Sequence, residues 1–205
     1  MKKTIILSVI GLSLAAVSSY GQGAVAFNTY NAQNSAGIMT TFGAGVTGAT
    51  AGAGIDSTFT GVLLWSSTPI TEAATTGPVL AGSILNPLWT VGSTALFDTG
   101  AAAGAGGLGF VTGPNLDITA AVGTTIYCEI AAYNGSSYAT GTFAGHSASF
   151  TVNLAVVPAT PDANQLNGLT PFSVYNVVPV PEPATLALAG LGGFGMLMAL
   201  RRKKA

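Results

Sequence analysis

Cationic side chains are absent from the body of this 205-residue chain. The lysines and arginines all lie near the two ends, at Lys2, Lys3, Arg201, Arg202, Lys203 and Lys204. Residues 22–180 instead carry six carboxylates and no cation, which gives that stretch a formal charge of −6. A surface without lysine or arginine cannot neutralise phosphates or release counterions. We therefore expect no nucleic-acid partner, and attraction to anionic lipid headgroups has no support.

Cysteine and histidine each occur once. Because Cys128 is the only cysteine, an internal disulfide is ruled out, and its place on the apolar face of a predicted strand favours a small buried side chain over a nucleophile. His146 excludes a histidine-rich metal site, and residues 145–149 lack the second glycine of a G-x-S-x-G nucleophile elbow. We predict no catalytic residue, no metal site and no cofactor, with His146 in a turn ahead of a strand.

The first 21 residues have the composition of a secretory signal peptide. Lys2 and Lys3 precede an apolar stretch, residues 5–17, that is too short to span a bilayer comfortably. Small residues then occupy the minus three and minus one positions of a cleavage site before Gln22. We therefore predict that residues 1–21 are removed, and that residues 22–177 form one exported domain of ordinary size.

The C-terminal end combines prolines, an apolar run and the basic tail. Pro181 and Pro183 flank Glu182 and favour extended backbone, since proline restricts itself and the residue before it. Residues 184–200 carry no charge, and as a helix they would span roughly 25 Å, slightly less than the ~30 Å hydrocarbon core of a bilayer. The four cations that follow would stay on the cytoplasmic side. We predict a single transmembrane helix that leaves the body outside.

The succession of Pro181-Glu182-Pro183, a glycine-bearing apolar span and a terminal cluster of arginine and lysine resembles the PEP-CTERM sorting signal. That signal occurs on exported proteins of bacteria that make an exopolysaccharide matrix, and the resemblance covers residues 178–205. It implies recognition by an exosortase, a membrane-embedded cysteine protease or transpeptidase that removes the anchor during delivery to the surface. An ordinary C-terminal anchor behind a proline-rich spacer is the alternative.

Periodicity in the body predicts an all-β fold. Residues 147–155 and 124–133 alternate one apolar face with a second, more polar face, as in half-buried strands. The second stretch runs into Asn134-Gly135, which favours a two-residue type I′ turn with a return strand at 138–143. Further strands are predicted at 24–30, 38–42, 59–66, 88–97, 116–121 and 172–177. Many short strands separated by Gly, Pro and Asn predict an antiparallel β-sandwich, Ig-like or jelly-roll.

Two loops carry motifs of low specificity. Gly104, Gly106 and Gly109 match G-x-G-x-x-G, but the strand before and the helix after that a nucleotide site requires are not predicted. Asp162 and Asn164 offer oxygen ligands, although the EF-hand pattern fails at later positions. We interpret the first as a flexible loop and the second as an Asx-rich turn.

Carboxylates and tyrosines of the predicted strands supply two more candidates. Asp117 and Glu129 could meet in three dimensions as a carboxylate pair for glycoside hydrolysis, though no local feature selects them. Tyr127, Tyr133 and Tyr138 could form a platform that stacks on sugar rings, although such residues more often fill or rim a core.

We therefore carry two functional hypotheses of different classes. The first is a non-enzymatic protein of the cell surface or extracellular matrix, anchored in the inner membrane and then sorted by an exosortase-like enzyme. The second is a carbohydrate-binding module that contacts extracellular polysaccharide. A hydrolase is disfavoured, because sites that stabilise developing negative charge usually recruit His, Lys or Arg.

Overall fold

The computed structural model describes residues 23–30, 37–99, 108–120, 122–156 and 166–180. The predicted signal peptide, the sorting tail from Pro181 onward, and the loop residues Gly104, Gly106, Asp162 and Asn164 lie outside these ranges. No apolar helix of the length that a bilayer crossing requires occurs in the described parts of the chain.

Within those ranges the regular structure is β. The strands are β1 (Gly23–Val25), β2 (Thr41–Phe42), β3 (Phe59–Ser66), β4 (Val79–Leu80), β5 (Thr90–Leu96), β6 (Leu116–Ile118), β7 (Thr125–Asn134), β8 (Phe143–His146), β9 (Phe150–Asn153), β10 (Ala155–Val156) and β11 (Ser173–Val178). The predicted all-β class is thereby confirmed.

The strands form a small sheet and a large one. The small sheet has the order β10-β1-β6, and the large sheet has the order β2-β11-β8-β7-β3-β5, with β9 also paired to β7 and β4 to β11. Strand β7 is the centre of the large sheet, since β3 pairs antiparallel with it from Phe59 opposite Asn134 to Ser66 opposite Tyr127. The other edge of β7 is shared by β8 and β9.

The large sheet is mostly antiparallel, as predicted, but it also contains parallel pairs that the prediction did not include. Strand β11 pairs in parallel with β2, through Ser173 opposite Thr41, and with β4, through Val177 opposite Val79. Parallel partners are joined by long connections rather than by hairpin turns, so no local turn signal announces them. The finer choice between an Ig-like and a jelly-roll arrangement stays a prediction.

A main core cluster joins the two sheets. It contains Val25 and Ile118 from the small sheet and Leu63, Cys128 and Ile130 from the large sheet, all buried. The two sheets therefore share one apolar layer. Burial raises the pKa of the Cys128 thiol to about 12, so this free cysteine is held as a neutral core residue.

An outer core cluster covers the opposite face of the large sheet. Its buried members are Val62, Leu64, Ile70, Val79, Trp89, Ala131, Tyr138 and Ala144. Several of them come from residues 67–89, the connection between β3 and β5, which lies over this face. The alternation of β7 had assigned Glu129 and Ala131 to a polar face, yet both side chains are fully buried.

The connection after β7 is wider than the predicted two-residue turn. Strand β8 starts at Phe143 rather than at residue 138, with Ala144 opposite Tyr133. Asn134 explains the delay, because its Oδ1 accepts hydrogen bonds from the backbone N–H groups of Thr142 (2.8 Å) and Phe143 (2.7 Å). The side chain of Asn134 thus ties the end of β7 to the start of β8 across the wider loop.

Truncation of neighbouring leucines tests whether both faces of β3 are core. Leu63 is 0 % exposed in the main cluster and Leu64 is 1 % exposed in the outer cluster. We expect Leu63→Ala and Leu64→Ala each to lower the free energy of unfolding by about 2–5 kcal/mol, through lost transfer energy and the cavity left behind. Urea denaturation of the full chain in detergent, followed by tryptophan fluorescence, measures both.

The matched control is Leu88→Ala, because Leu88 is 69 % exposed and its truncation should change stability by no more than about 0.5 kcal/mol. A Leu64→Ala variant as stable as Leu88→Ala would show that the outer cluster contributes no core.

Candidate functional site

A cavity of about 540 Å³ lies beside the outer cluster. Its wall is built from the connection between β3 and β5, which contributes residues 72–80 and 83–86, together with Tyr138 and His146. The cavity therefore exposes one carboxylate, one imidazole and one phenol, those of Glu72, His146 and Tyr138.

Glu129 lies behind this wall. The residue is fully buried on β7 and is not among those that line the cavity. Carboxylate oxygens of Glu129 and Glu72 and a ring nitrogen of His146 all lie within 4.8 Å of one another. The Oε1 atom of Glu129 is 3.4 Å from Nδ1 of His146. Two carboxylates and the lone imidazole therefore meet at one point.

The pairing of β7 explains why His146 reaches Glu129. His146 is the last residue of β8 and stands opposite Ala131, so it shares a face with Glu129 as a diagonal neighbour. Beyond it the partner of β7 changes from β8 to β9. Ser147 bridges this junction, since its backbone N–H donates to the Ile130 carbonyl (2.8 Å) and its Oγ accepts from the Ile130 N–H (3.0 Å).

This junction corrects two predictions. His146 ends a strand rather than occupying a turn ahead of one. The single strand predicted at 147–155 is divided, because β9 begins only at Phe150 and Leu154 separates it from β10. The interruption at residues 147–149 frees backbone groups that bind the connection carrying Glu72.

Backbone hydrogen bonds clamp Glu72 against this junction. The N–H of Ser149 donates to the Glu72 carbonyl (3.0 Å), and the N–H of Glu72 donates to Ser149 Oγ (2.9 Å). The N–H of His146 donates to Thr75 Oγ1 (2.9 Å), and the N–H of Thr75 donates to the His146 carbonyl (3.0 Å). Four hydrogen bonds thus fix the position of the cavity wall relative to β8.

Burial and mutual interaction shift the pKa values of the three groups. Burial raises the pKa of Glu129 to about 7; the neighbouring His146 opposes this rise and the Glu72 carboxylate adds to it. Burial lowers the pKa of His146, but the interactions with Glu129 and Glu72 outweigh it, so the net shift is upward. Burial raises the pKa of Glu72, but the interactions with the neighbouring Glu129 carboxyl and the Asn86 amide outweigh it, so the net shift is downward.

Glu72 and Glu129 differ in how their oxygens are satisfied. The Nδ2 group of Asn86 donates to Oε1 of Glu72 at 2.5 Å. Neither oxygen of Glu129 meets hydrogen-bond geometry with any described residue. A buried carboxyl group without a partner costs free energy. Glu72 is therefore the ionised, stabilised member of the pair, whereas Glu129 has the 3.4 Å contact with His146 but no hydrogen bond to a described residue.

The arrangement of these side chains can bind a cation or hold a proton. Two carboxylates and one imidazole form a ligand set for divalent metals, and they are also the groups of general acid–base chemistry. Sequence reasoning missed this group, because Glu72, Glu129 and His146 are far apart in the chain and no motif links them. Asp117, the carboxylate considered as a possible partner of Glu129, is instead exposed on β6 in the small sheet.

The three tyrosines of the predicted sugar platform are spread over the outer face. Tyr127 and Tyr133 lie near opposite ends of β7, about 20 Å apart at strand spacing. Tyr138 is 8 % exposed, meets the Tyr133 ring edge-on at 6.4 Å between centroids, and lines the cavity. The platform of three tyrosines stays a prediction. Because Tyr138 lines the cavity, a ligand bound there could contact it without the other two tyrosines.

The predicted sorting residues Pro181, Glu182 and Pro183, the membrane span and the basic tail follow the described body, in which β11 ends at Val178. The family model of the PEP-CTERM protein-sorting motif matches residues 179–203. The resemblance of the tail is thereby confirmed, and the motif implies export and processing by an exosortase-type enzyme. No curated protein and no solved structure matches the chain.

The pKa shifts predict that stability falls as pH rises through neutrality. The folded-state pKa values of Glu129, about 7, and His146 both exceed the ordinary values of 4.5 and 6.5. The folded state therefore binds more protons than the unfolded state in this window, and the stability present near pH 4.5 is lost as pH passes the folded values. We expect the Tm of the full chain in detergent, measured by circular dichroism, to decline accordingly.

Replacing the buried carboxyl group should flatten this profile. Glu129→Gln keeps the shape of the side chain but cannot ionise, so its Tm should vary less between about pH 4.5 and about pH 7. Asp117→Asn removes an exposed carboxylate and should retain the wild-type slope. Parallel profiles for wild type and Glu129→Gln would contradict the assignment of the pH dependence to Glu129.

Proposed function

We propose that this protein is a non-enzymatic component of the bacterial cell surface or extracellular matrix. Residues 1–21 direct export, residues 184–200 anchor the chain in the inner membrane, and an exosortase-type enzyme then processes the tail at Pro181-Glu182-Pro183. The observation that carries this proposal is the sorting motif at residues 179–203.

Charge placement supports the proposed topology. Arg201, Arg202, Lys203 and Lys204 follow the apolar run and favour the cytoplasmic side of the membrane. The body carries carboxylates and no cation, so it contains nothing that opposes translocation by the same rule. The β fold ends at Val178, directly before the motif, which gives a processing enzyme a short link between the folded body and the membrane.

The geometry of the cavity supports a role other than hydrolysis. Glycoside hydrolysis requires two carboxyl groups that flank the scissile bond, whereas Glu129 is fully buried and does not line the cavity. Glu72 is thus the one carboxylate of this pair that a ligand in the cavity can contact. The body also lacks lysine and arginine, the cations that commonly stabilise developing negative charge.

Binding of a carbohydrate is the second candidate function. A cavity of about 540 Å³ falls in the range that small-molecule ligands occupy. Its lining includes the aromatic ring of Tyr138 and polar groups of Glu72, Ser83 and Asn86. An aromatic wall with hydrogen-bonding groups is the chemistry that recognises a sugar ring.

The sorting proposal predicts that an altered motif stops processing. In the native bacterium, Pro181→Ala combined with Glu182→Ala should leave the chain uncut at its C-terminus and retained in the membrane, because the enzyme loses its recognition sequence. Intact mass spectrometry of membrane and surface fractions measures the outcome. Pro171→Ala, at an exposed proline of the body, is the control and should be processed normally. Normal trimming of the double variant would refute sorting through this motif.

The carbohydrate hypothesis predicts loss of binding when the cavity loses its aromatic wall. On a glycan array the full chain should show saturable binding that Tyr138→Ala removes, while Tyr127→Ala, at the other end of β7, retains it. The Tm of each variant establishes that it is folded, and Tyr138→Phe should keep most of the stacking contribution. Absence of binding by the wild-type chain, or equal loss in both alanine variants, would count against a sugar site in this cavity.

A further inference from the structure

We propose that Glu72, Glu129 and His146 form a binding site for one divalent transition-metal cation, with Zn²⁺ as the preferred ion. The site is independent of the sorting proposal, since the three side chains belong to the body and the processing motif lies in the tail. It places a cation between the buried strand β7 and the cavity.

The spacing of the ligand atoms suits such an ion. One atom from each residue lies within 4.8 Å of the other two. Zinc binds carboxylate oxygen and imidazole nitrogen at about 2.0–2.2 Å in tetrahedral geometry, so its ligand atoms lie about 3.4 Å apart. Glu72 is only partly buried at the cavity wall, so rotation of its side chain can bring its carboxylate closer to the other two ligands.

Glu129 supplies an independent observation in favour of a ligand. Its side chain is fully buried and directed into the group, and both carboxylate oxygens lack hydrogen-bond partners among the described residues. The contact of 3.4 Å with His146 involves one oxygen and leaves the other without a partner. A bound cation would satisfy this carboxylate in surroundings where water is excluded.

The surrounding hydrogen bonds prepare His146 and Glu72 as ligands. Nδ1 of His146 lies 3.0 Å from the Ser147 carbonyl and 3.4 Å from Oε1 of Glu129, so an N–H at Nδ1 faces both acceptors and Nε2 is the ring nitrogen left to bind a cation. Histidine ligands of metals commonly donate their other nitrogen to a carbonyl in this way. The Nδ2 group of Asn86 donates a hydrogen bond to Oε1 of Glu72 and thereby orients this carboxylate.

The composition of the set selects the class of cation. Mixed imidazole and carboxylate ligands suit zinc and related transition metals, whereas calcium takes six to eight oxygen ligands. Glu72 and His146 both line the cavity, so a cation enters from there and cavity water completes its coordination. The formal charge of −6 on the body also favours the approach of a cation.

Metal titration of the full chain tests the site. After the detergent-solubilised protein has been stripped with EDTA, isothermal titration calorimetry with Zn²⁺ should show one site, and Ca²⁺ should bind at least about tenfold more weakly. Glu129→Gln and His146→Ala should each weaken Zn²⁺ binding by at least about tenfold, since each loses a direct ligand. Asp117→Asn, which removes an exposed carboxylate elsewhere, should bind as wild type does.

Thermal unfolding supplies a second readout that depends on folding and binding together. Zn²⁺ should raise the Tm of wild type and Asp117→Asn in a concentration-dependent manner and leave Glu129→Gln unchanged. Should Glu129→Gln fail to fold, Glu72→Gln at the cavity wall replaces it in both measurements. Binding of Zn²⁺ to a folded ligand variant with wild-type affinity, tighter binding of Ca²⁺, or no wild-type site at all would overturn the proposal.

Discussion

The burial of β7 on both faces is the constraint from which the other features of this molecule follow. Strand β3 pairs with β7 over eight residue pairs, the main cluster covers one face, and the outer cluster covers the other. A charged side chain within residues 128–132 of β7 is therefore buried away from solvent. Glu129 occupies this position, and Glu72 and His146 approach it from two other segments of the chain.

The sequence predicted the bounds of β3 and β7 closely, and for β7 the prediction rested on alternation, which reports the identity of the buried face directly. It did not predict what covers the second face of β7, because the segment over Glu129 and Ala131 comes from residues 67–89 and carries little regular periodicity of its own. Burial by a distant, mostly irregular connection leaves no trace in the local pattern of the strand that it covers. The same limit hid the parallel pairs of β11, whose partners are joined by long connections rather than by turns.

The sorting motif and the group formed by Glu72, Glu129 and His146 differ in how far each can be recognised from the sequence. The sorting signal consists of consecutive residues, namely Pro181, Glu182 and Pro183 followed by the apolar run and the basic tail. It can therefore be recognised from a single sequence. Glu72, Glu129 and His146 become a site only through the change of strand partner between β8 and β9 and the hydrogen bonds of Ser149. Their proximity is a property of tertiary structure, and single-residue reasoning about His146 as a lone imidazole could not foresee it.

The free-energy cost of burying Glu129 bears on the function of the body, apart from its sorting. Replacing a buried ionisable group by an apolar residue of similar volume is often neutral or stabilising, by about 1–4 kcal/mol for complete ion pairs. This domain has no disulfide, and its stability comes from packing and backbone pairing. A leucine on β7 would serve those ends at least as well as a carboxylate whose two oxygens lack partners. Glu129 makes interactions with His146 and Glu72 that an apolar side chain cannot make, and the proposed binding of a cation would add a further one.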